Sequence, residues 1–318
     1  MSAKSFRMRL PATSANLGPG FDTAAVALSF FLDVEACEAG AFSISATGIN
    51  CEKCSSLKNN LILDVYTRIL EENQRPLKPL AIRMRNDIPL GMGCGSSAAG
   101  RLAAIAMAVR FGELDWPPER ILEEACVLEG HPDNASACWL GGFVVAAGDG
   151  RAVQAVRVEP PSEWRAIIVQ PKESLATSKA RALLPATYSS ADVVANLQAV
   201  SILGLAFAQS RGDLLRTAMR DRIHQPYRAD ICPLLPRLLP LAGNGEILGV
   251  ALSGAGPAVL IIIASEAGII SARESILCAV QGYPEPSLLV SRLESTGALE
   301  SLSFEECGKQ VTQLFTDE

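Results

Sequence analysis

Histidine is nearly missing: His131 and His224 are the only two in 318 residues. That scarcity excludes a histidine-rich metal centre and leaves little material for histidine proton relays. A basic surplus is missing too, since 28 Lys plus Arg stand against 34 Asp plus Glu, a formal net charge of −6. A sequence-independent nucleic-acid binder needs a basic face to release phosphate counterions, so no nucleic-acid partner is expected. The N-terminal stretch lacks the apolar core of a secretory signal. The longest strongly apolar run, AVLIIIA at 258–264, is strand length, where a membrane span needs roughly 18 to 20 residues. A soluble, cytoplasmic protein without membrane contact is expected. The nine cysteines are odd in number and irregularly spaced, as reduced intracellular thiols are. Cys51 and Cys54 form one C-x-x-C, but the second pair of a zinc ribbon is missing, so they read as an incidental loop pair.

What is present points to a large packed core. Hydrophobic residues make up 49% of the chain and charged ones 19%, too apolar for disorder to dominate. The length exceeds the roughly 250 to 300 residues at which one core stops growing, which favours two packed domains. Stretches 6–10 and 24–35 read as strands separated by the turn-rich PATSANLGPGFD. Leu61, Val65, Ile69 and Leu70 share one helical face over 61–73. Residues 79–86 alternate apolar with basic side chains, as a half-buried strand does. Further helices are expected at 96–111, 117–128, 191–209, 233–241 and 271–281, and strands at 142–147, 165–170, 247–252, 258–264 and 288–293. This order implies an α+β architecture, with residues 1–155 as an N-terminal domain and 156–318 as a C-terminal one.

Three glycine-rich segments carry the chemistry. In PLGMGCGSSAA at 89–99, Gly91, Gly93 and Gly95 remove side chains that would hold the backbone away from a ligand. Ser96 and Ser97 then open a helix, whose N-terminus attracts phosphate without a basic side chain. A serine-capped strand-to-helix turn would use the same residues. The Walker pattern fails because no lysine follows Gly95. A dinucleotide fingerprint is met by Gly93 to Ala98, with Glu113 and Asp115 about 20 residues on, but the preceding strands are not spaced by helices as in a doubly wound sheet. In the second segment, 11–22, Asn16 and Asp22 sit on a proline-bounded turn suited either to a small polar ligand or to closing the loop on itself. In the third, LSGAGPA at 252–258, Gly254 and Gly256 either make a hairpin turn or let this loop approach the other two. Glu129, in EGHPDN at 129–134, suits Mg²⁺, a hard cation held by one or two carboxylates plus substrate phosphates. Asp133 and Asn134 follow in a turn that could face the same site, and His131 alone reads as structural.

Taken together and in order, PATSANLGPGFD, IPLGMGCGSSAAG, EGHPDN and LSGAGPA closely resemble the homoserine kinases, a branch of the GHMP small-molecule kinases. The resemblance runs from about residue 5 to about residue 265. It implies a ribosomal-protein-S5-like N-terminal domain and a ferredoxin-like C-terminal domain, with ATP and acceptor in the cleft between them. It further implies that Pro89, Leu90, Gly91, Met92, Gly93, Cys94, Gly95, Ser96 and Ser97 wrap the triphosphate, that Ser97 and Glu129 ligate Mg²⁺, and that Asn60 lies near the adenine. Thr177 to Arg181 resembles the family's T-x-x-x-R helix, and Asp221 to Arg228 its D-x-x-H-x-P-x-R stretch. Arg181 and Arg228 thereby become carboxylate clamps, since a guanidinium binds a carboxylate through two parallel hydrogen bonds. Asn16 and Asp22 would hold the ammonium group, with Gly254 beside them. Asn134 would orient the hydroxyl, Thr177 would line the transfer region, and Asp133 is a secondary candidate base. The implied reaction converts L-homoserine to O-phospho-L-homoserine on the route to threonine, in a homodimer. Cys94 is expected to confer sensitivity to thiol reagents. A kinase for another amino alcohol or polyol, a non-catalytic sensor of ATP or an amino acid, and an NAD oxidoreductase are the competing readings.

Overall fold

The computed structural model describes residues 4–148, 152–175 and 177–303. The first part of the chain builds β1 (Ser5–Asn16), β2 (Gly20–Glu38), β3 (Ser43–Gly48), α1 (Cys51–Ser55), α2 (Leu61–Glu72), β4 (Leu80–Asn86), α3 (Ser96–Gly112), α4 (Pro118–Glu129), α5 (Asp133–Leu140), β5 (Phe143–Gly148) and β6 (Val153–Val158). Beyond it come β7 (Arg165–Gln170), α6 (Thr177–Arg181), α7 (Ser190–Ala208), α8 (Leu215–Ala218), α9 (Gln225–Arg228), α10 (Leu234–Leu238), β8 (Ile247–Leu252), β9 (Val259–Ile263), α11 (Ile269–Ala279), β10 (Ser287–Arg292) and α12 (Ala298–Ser301).

Strands β1 to β6 form one mixed sheet along β3-β4-β2-β5-β6, with β1 paired to β2. The other four form an antiparallel sheet in the order β10-β7-β9-β8, the ferredoxin-like arrangement. The expected domain boundary at 155 falls inside β6, which pairs with β5 along its whole length. After β10 the chain returns to the first sheet, where Glu294 N donates to the Ala27 carbonyl and Ser303 bridges Arg7.

The apolar runs of β7 and β9 are continuous because both faces of their sheet are covered. Ala166, Ile168, Leu260 and Ile262 face the core of the first sheet, while Ile167, Val169, Ile261 and Ile263 pack with Leu234, Leu238 and Ile276 of α10 and α11. Phe207 of α7 stacks on Phe143 of β5 at 4.1 Å between ring centroids and meets Trp164 edge-on at 5.3 Å. The two sheets are therefore joined through one core.

One expectation needs correction. PATSANLGPGFD is mostly strand: Pro11 to Ala15 continue β1, with register shifts after Pro11 and Ala15, and only residues 17–19 turn. Such irregularities accommodate proline and small residues within a pair of strands. By length and composition alone, α7 is long and apolar enough to cross a membrane, although its sequence contains no long unbroken apolar run. Here its Asn196, Ala199, Leu203, Ala206 and Phe207 are buried, and Asn196 Nδ2 donates to the Pro19 carbonyl at 2.7 Å.

Candidate active site

The three glycine-rich segments meet because their glycines let backbone touch backbone. Gly93 has φ +78°, and a Cβ there would lie 2.0 Å from the Ser253 carbonyl oxygen. At Gly95, φ +70°, it would lie 1.9 Å from Thr13 Oγ1. Hydrogen bonds fix this junction: Ser253 Oγ to Gly93 O at 2.8 Å, Gly254 N to Ala15 O at 3.0 Å and Thr13 N to Cys94 O at 3.1 Å. Asn16 closes it, donating through Nδ2 to the Gly254 carbonyl at 2.8 Å and accepting from Asp22 N at 3.1 Å. Its amide thus links two loops, and Asn16 is only 4% exposed.

These loops wall a cavity of about 470 Å³. Along its wall, α3 begins after Gly95 with no side-chain cap, unlike α2 and α7, whose first N–H groups are met by Asn60 and Ser189. The leading N–H groups of a helix have no intrahelical acceptor and carry the positive end of its dipole. An anion binds there without lysine. Ser97 Oγ and Glu129 Oε1, from α3 and the end of α4, both accept from Arg101 Nη1. Pro89 is buried, Leu90 N donates to Asn50 Oδ1 at 3.3 Å, and Met92 packs partly on the core. A second cavity of about 480 Å³ shares Ser96 and Ser97 and extends past Leu32, Asn60 and Met84. Asn60 itself is a structural hub, accepting from Ile62 N and Leu63 N and donating to the Cys54 and Ser56 carbonyls. The C-x-x-C lies on α1 rather than in a loop, and its thiols are free.

Two arginines also line the first cavity. Arg228 is 1% exposed; its guanidinium donates to His224 Nδ1 at 3.0 Å, to the Ala180 carbonyl at 3.3 Å and to the Gly254 carbonyl at 3.5 Å. Burial lowers the pKa of His224, and the nearby Arg228 charge adds to this, against the opposing pull of Asp221. Its Nε2 meets the Gly18 carbonyl at 2.8 Å, so the neutral ring donates at Nε2 and accepts at Nδ1. Arg181 makes a two-pronged salt bridge to Asp22, both contacts 2.8 Å. Asp133 and Asn134 open α5 rather than lying in a turn. Asp133 Oδ1 meets His131 Nδ1 at 2.6 Å and accepts from Asn134 N at 2.6 Å, while Asn134 Oδ1 accepts from Thr13 Oγ1 at 2.7 Å. Burial disfavours the His131 imidazolium, but the hydrogen bond to Asp133 and the charges of Asp133, Asp22 and Glu129 outweigh it and raise its pKa. Thr177 opens α6, and its side chain lies outside the described residues.

Residues 60–142 match the GHMP kinases N terminal domain and residues 205–280 the GHMP kinases C terminal domain. The homoserine kinase of Solibacter usitatus is 41% identical over 80% of this chain and 84% of its own length. That of Carboxydothermus hydrogenoformans is 33% identical over 93% and 96%. The chain belongs to the GHMP kinase family. A solved structure of homoserine kinase from Cytophaga hutchinsonii has the same fold, with a TM-score of 0.76 and 22% identity over 95% of this chain and 97% of that one.

In this GHMP kinase the site also contains residues that the motifs alone do not reveal. Phe21 lies under both arginines, 5.2 Å from Arg181 and 5.4 Å from Arg228, and stacks on His224. Its position between Gly20 and Asp22 was the available signal. Arg101 carries no motif signal because α3 reads as a small-residue core helix, although an arginine four residues after Ser97 shares its face. His131 is drawn into the site by Asp133. One ligand atom each from Asp22, His131 and Asp133 lie within 4.8 Å of one another, but these groups already pair with Arg181 and with each other, as a charge network does.

Proposed function

We propose that this kinase transfers the γ-phosphoryl group of ATP to the side-chain hydroxyl of L-homoserine, giving O-phospho-L-homoserine for threonine biosynthesis. One observation carries the reading. Arg228 is a buried cation whose hydrogen-bond partners among the described residues are all neutral, and it lines the same cavity as an uncapped helix start. A buried guanidinium without a carboxylate of its own is costly, and the carboxylate of an amino acid would neutralise it. The Arg181–Asp22 pair supports the same substrate class. A zwitterion carries both charges, so its carboxylate can take Asp22's place at Arg181 and its ammonium can take Arg181's place at Asp22. The names of the similar kinases select homoserine among amino alcohols.

Within this reading, the N–H groups opening α3 and the loop from Pro89 to Ser97 hold the triphosphate, and the cavity beyond Ser96 receives the base. Ser97 and Glu129 fit a divalent ion, because a hydroxyl and a carboxylate reaching one guanidinium nitrogen converge closely enough to share a cation, the donor set Mg²⁺ takes alongside phosphates. Bound Mg²⁺ would neutralise charge on the transferring group. Asn134, held through Thr13 and Asp133, orients the acceptor hydroxyl, while Asn16 and Gly254 fix the loop beneath the ammonium group. Phosphoryl transfer depends mainly on positioning and charge neutralisation, so Asp133 is assigned first to positioning, with general base as its secondary role. A homodimer in the cytoplasm completes the proposal, on the family resemblance and the free thiols.

Calorimetric titration tests the acceptor site. Arg228→Ala should weaken L-homoserine binding by on the order of 2 to 5 kcal/mol, at least ~30-fold, because it leaves a buried charge unpaired. Binding of a non-hydrolysable ATP analogue should be unchanged. Equal losses for both ligands would show that Arg228 is not the carboxylate clamp.

A further inference from the structure

Arg101 stands where the divalent ion is proposed to bind. It lies one turn along α3 from Ser97, and its Nη1 donates to both Ser97 Oγ and Glu129 Oε1. The side chains of Arg101 and Glu129 are 21% and 9% exposed, and both line the same cavity as the phosphate loop. One nitrogen therefore occupies the two oxygens that would ligate a metal.

We propose that Arg101 is a resident competitor for the divalent cation: its guanidinium fills the space between Ser97 and Glu129 until nucleotide phosphates draw it aside, so the ion enters with the nucleotide. The inference rests on the assignment of Ser97 and Glu129 as the metal ligands. An anion can vacate the place, because guanidinium forks bind phosphate oxygens bidentately. That anion is expected beside Arg101, at the leading N–H groups of α3 from Ser96, Ser97 and Ala98. Arg101 can then exchange Glu129 for phosphate without leaving the cavity. In this arrangement the side chain is a positioning residue that couples metal entry to nucleotide occupancy.

The test needs no acceptor and no turnover. Mn²⁺ serves as the probe, and the free ion is measured by electron paramagnetic resonance with the full-length protein. Without nucleotide, Arg101→Met and Arg101→Gln should each bind Mn²⁺ at least ~10-fold more tightly than the wild type, whereas Arg101→Lys, which keeps the charge, should not. The gain should vanish in the double variant Arg101→Met with Glu129→Gln. Added ADP should raise Mn²⁺ affinity more in the wild type than in Arg101→Met. Equal nucleotide-free affinities in wild type, Arg101→Met and Arg101→Gln would overturn the proposal. So would a gain that survives loss of the Glu129 carboxylate. Because homoserine is absent throughout, a wrong acceptor assignment leaves these outcomes unchanged.

Discussion

At the scale of single residues, burial reverses one expectation drawn from the motif. Cys94 sits in the phosphate loop, yet it is 1% exposed and burial pushes its thiol pKa up to about 12. Only the thiolate is an effective nucleophile. Brief iodoacetamide treatment of the folded protein at pH 8 should therefore label exposed Cys278 and spare Cys94, as read by peptide mass spectrometry. Rapid labelling of Cys94 would contradict the packing described. His224 offers a pH test. Its folded pKa is lowered below the ordinary 6.5, so its neutral form stabilises the fold fully above that value, and the contribution is lost as pH falls below it. Denaturant titrations at pH 7.5 and 5 should show the wild type losing more stability than His224→Gln; parallel losses would contradict a neutral buried ring. For Asp133→Asn, turnover should fall modestly while ligand binding persists. A loss of several orders of magnitude with folding intact would make Asp133 the base. Most polar side chains of the site were legible because they sit in distinctive motifs, Arg101 being an exception, but their present partners were not. Nothing in the sequence says that Asp22 pairs with Arg181, or that Arg228 meets neutral His224, since these contacts cross more than 150 residues or depend on a ring's protonation state.

At the scale of elements, the glycine loop works through close approach. Gly93 and Gly130 both have positive φ, but a Cβ at Gly130 meets open space whereas one at Gly93 meets a backbone carbonyl. Both alanine substitutions carry left-handed strain, and Gly93→Ala adds overpacking against atoms that cannot rotate away, about 1 to 3 kcal/mol more. Thermal melts should separate the two variants by that margin, and only Gly93→Ala should raise the KM for ATP. Helices and strands with strong periodicity or unbroken apolar runs, such as α2, α3, β7 and β8, were readable because one face or both faces must be buried. Strand β3, with its SISATG sequence and largely exposed pattern, gives no such signal. The same holds for short α1 and for α5, which starts inside a motif that reads as a turn. In β1 Ala12, Ala15 and Asn16 are weak strand formers, and pairing with β2 overrides that preference.

At the scale of the whole molecule, the site exists because two sheets are locked together. Phe143, Trp164 and Phe207 join them through one core, and the chain after β10 returns to β2. The first sheet supplies the helix start that receives phosphate, and the second part supplies Arg181, Arg228 and the Gly254 loop. The α+β class was legible from the order of elements, while the return of the C-terminal segment was not, because its contacts depend on tertiary packing. A cavity lined by both an anion cradle and a buried cation should select an acceptor bearing a carboxylate and a hydroxyl at the right separation. Steady-state ADP release with L-homoserine, L-serine and L-threonine offered separately measures this directly. Release should depend on L-homoserine and exceed that with either other amino acid by at least ~10-fold in kcat/KM, a difference of about 1.4 kcal/mol in transition-state binding. Equal release with all three, or none with L-homoserine, would contradict the assignment of this cavity as a homoserine site.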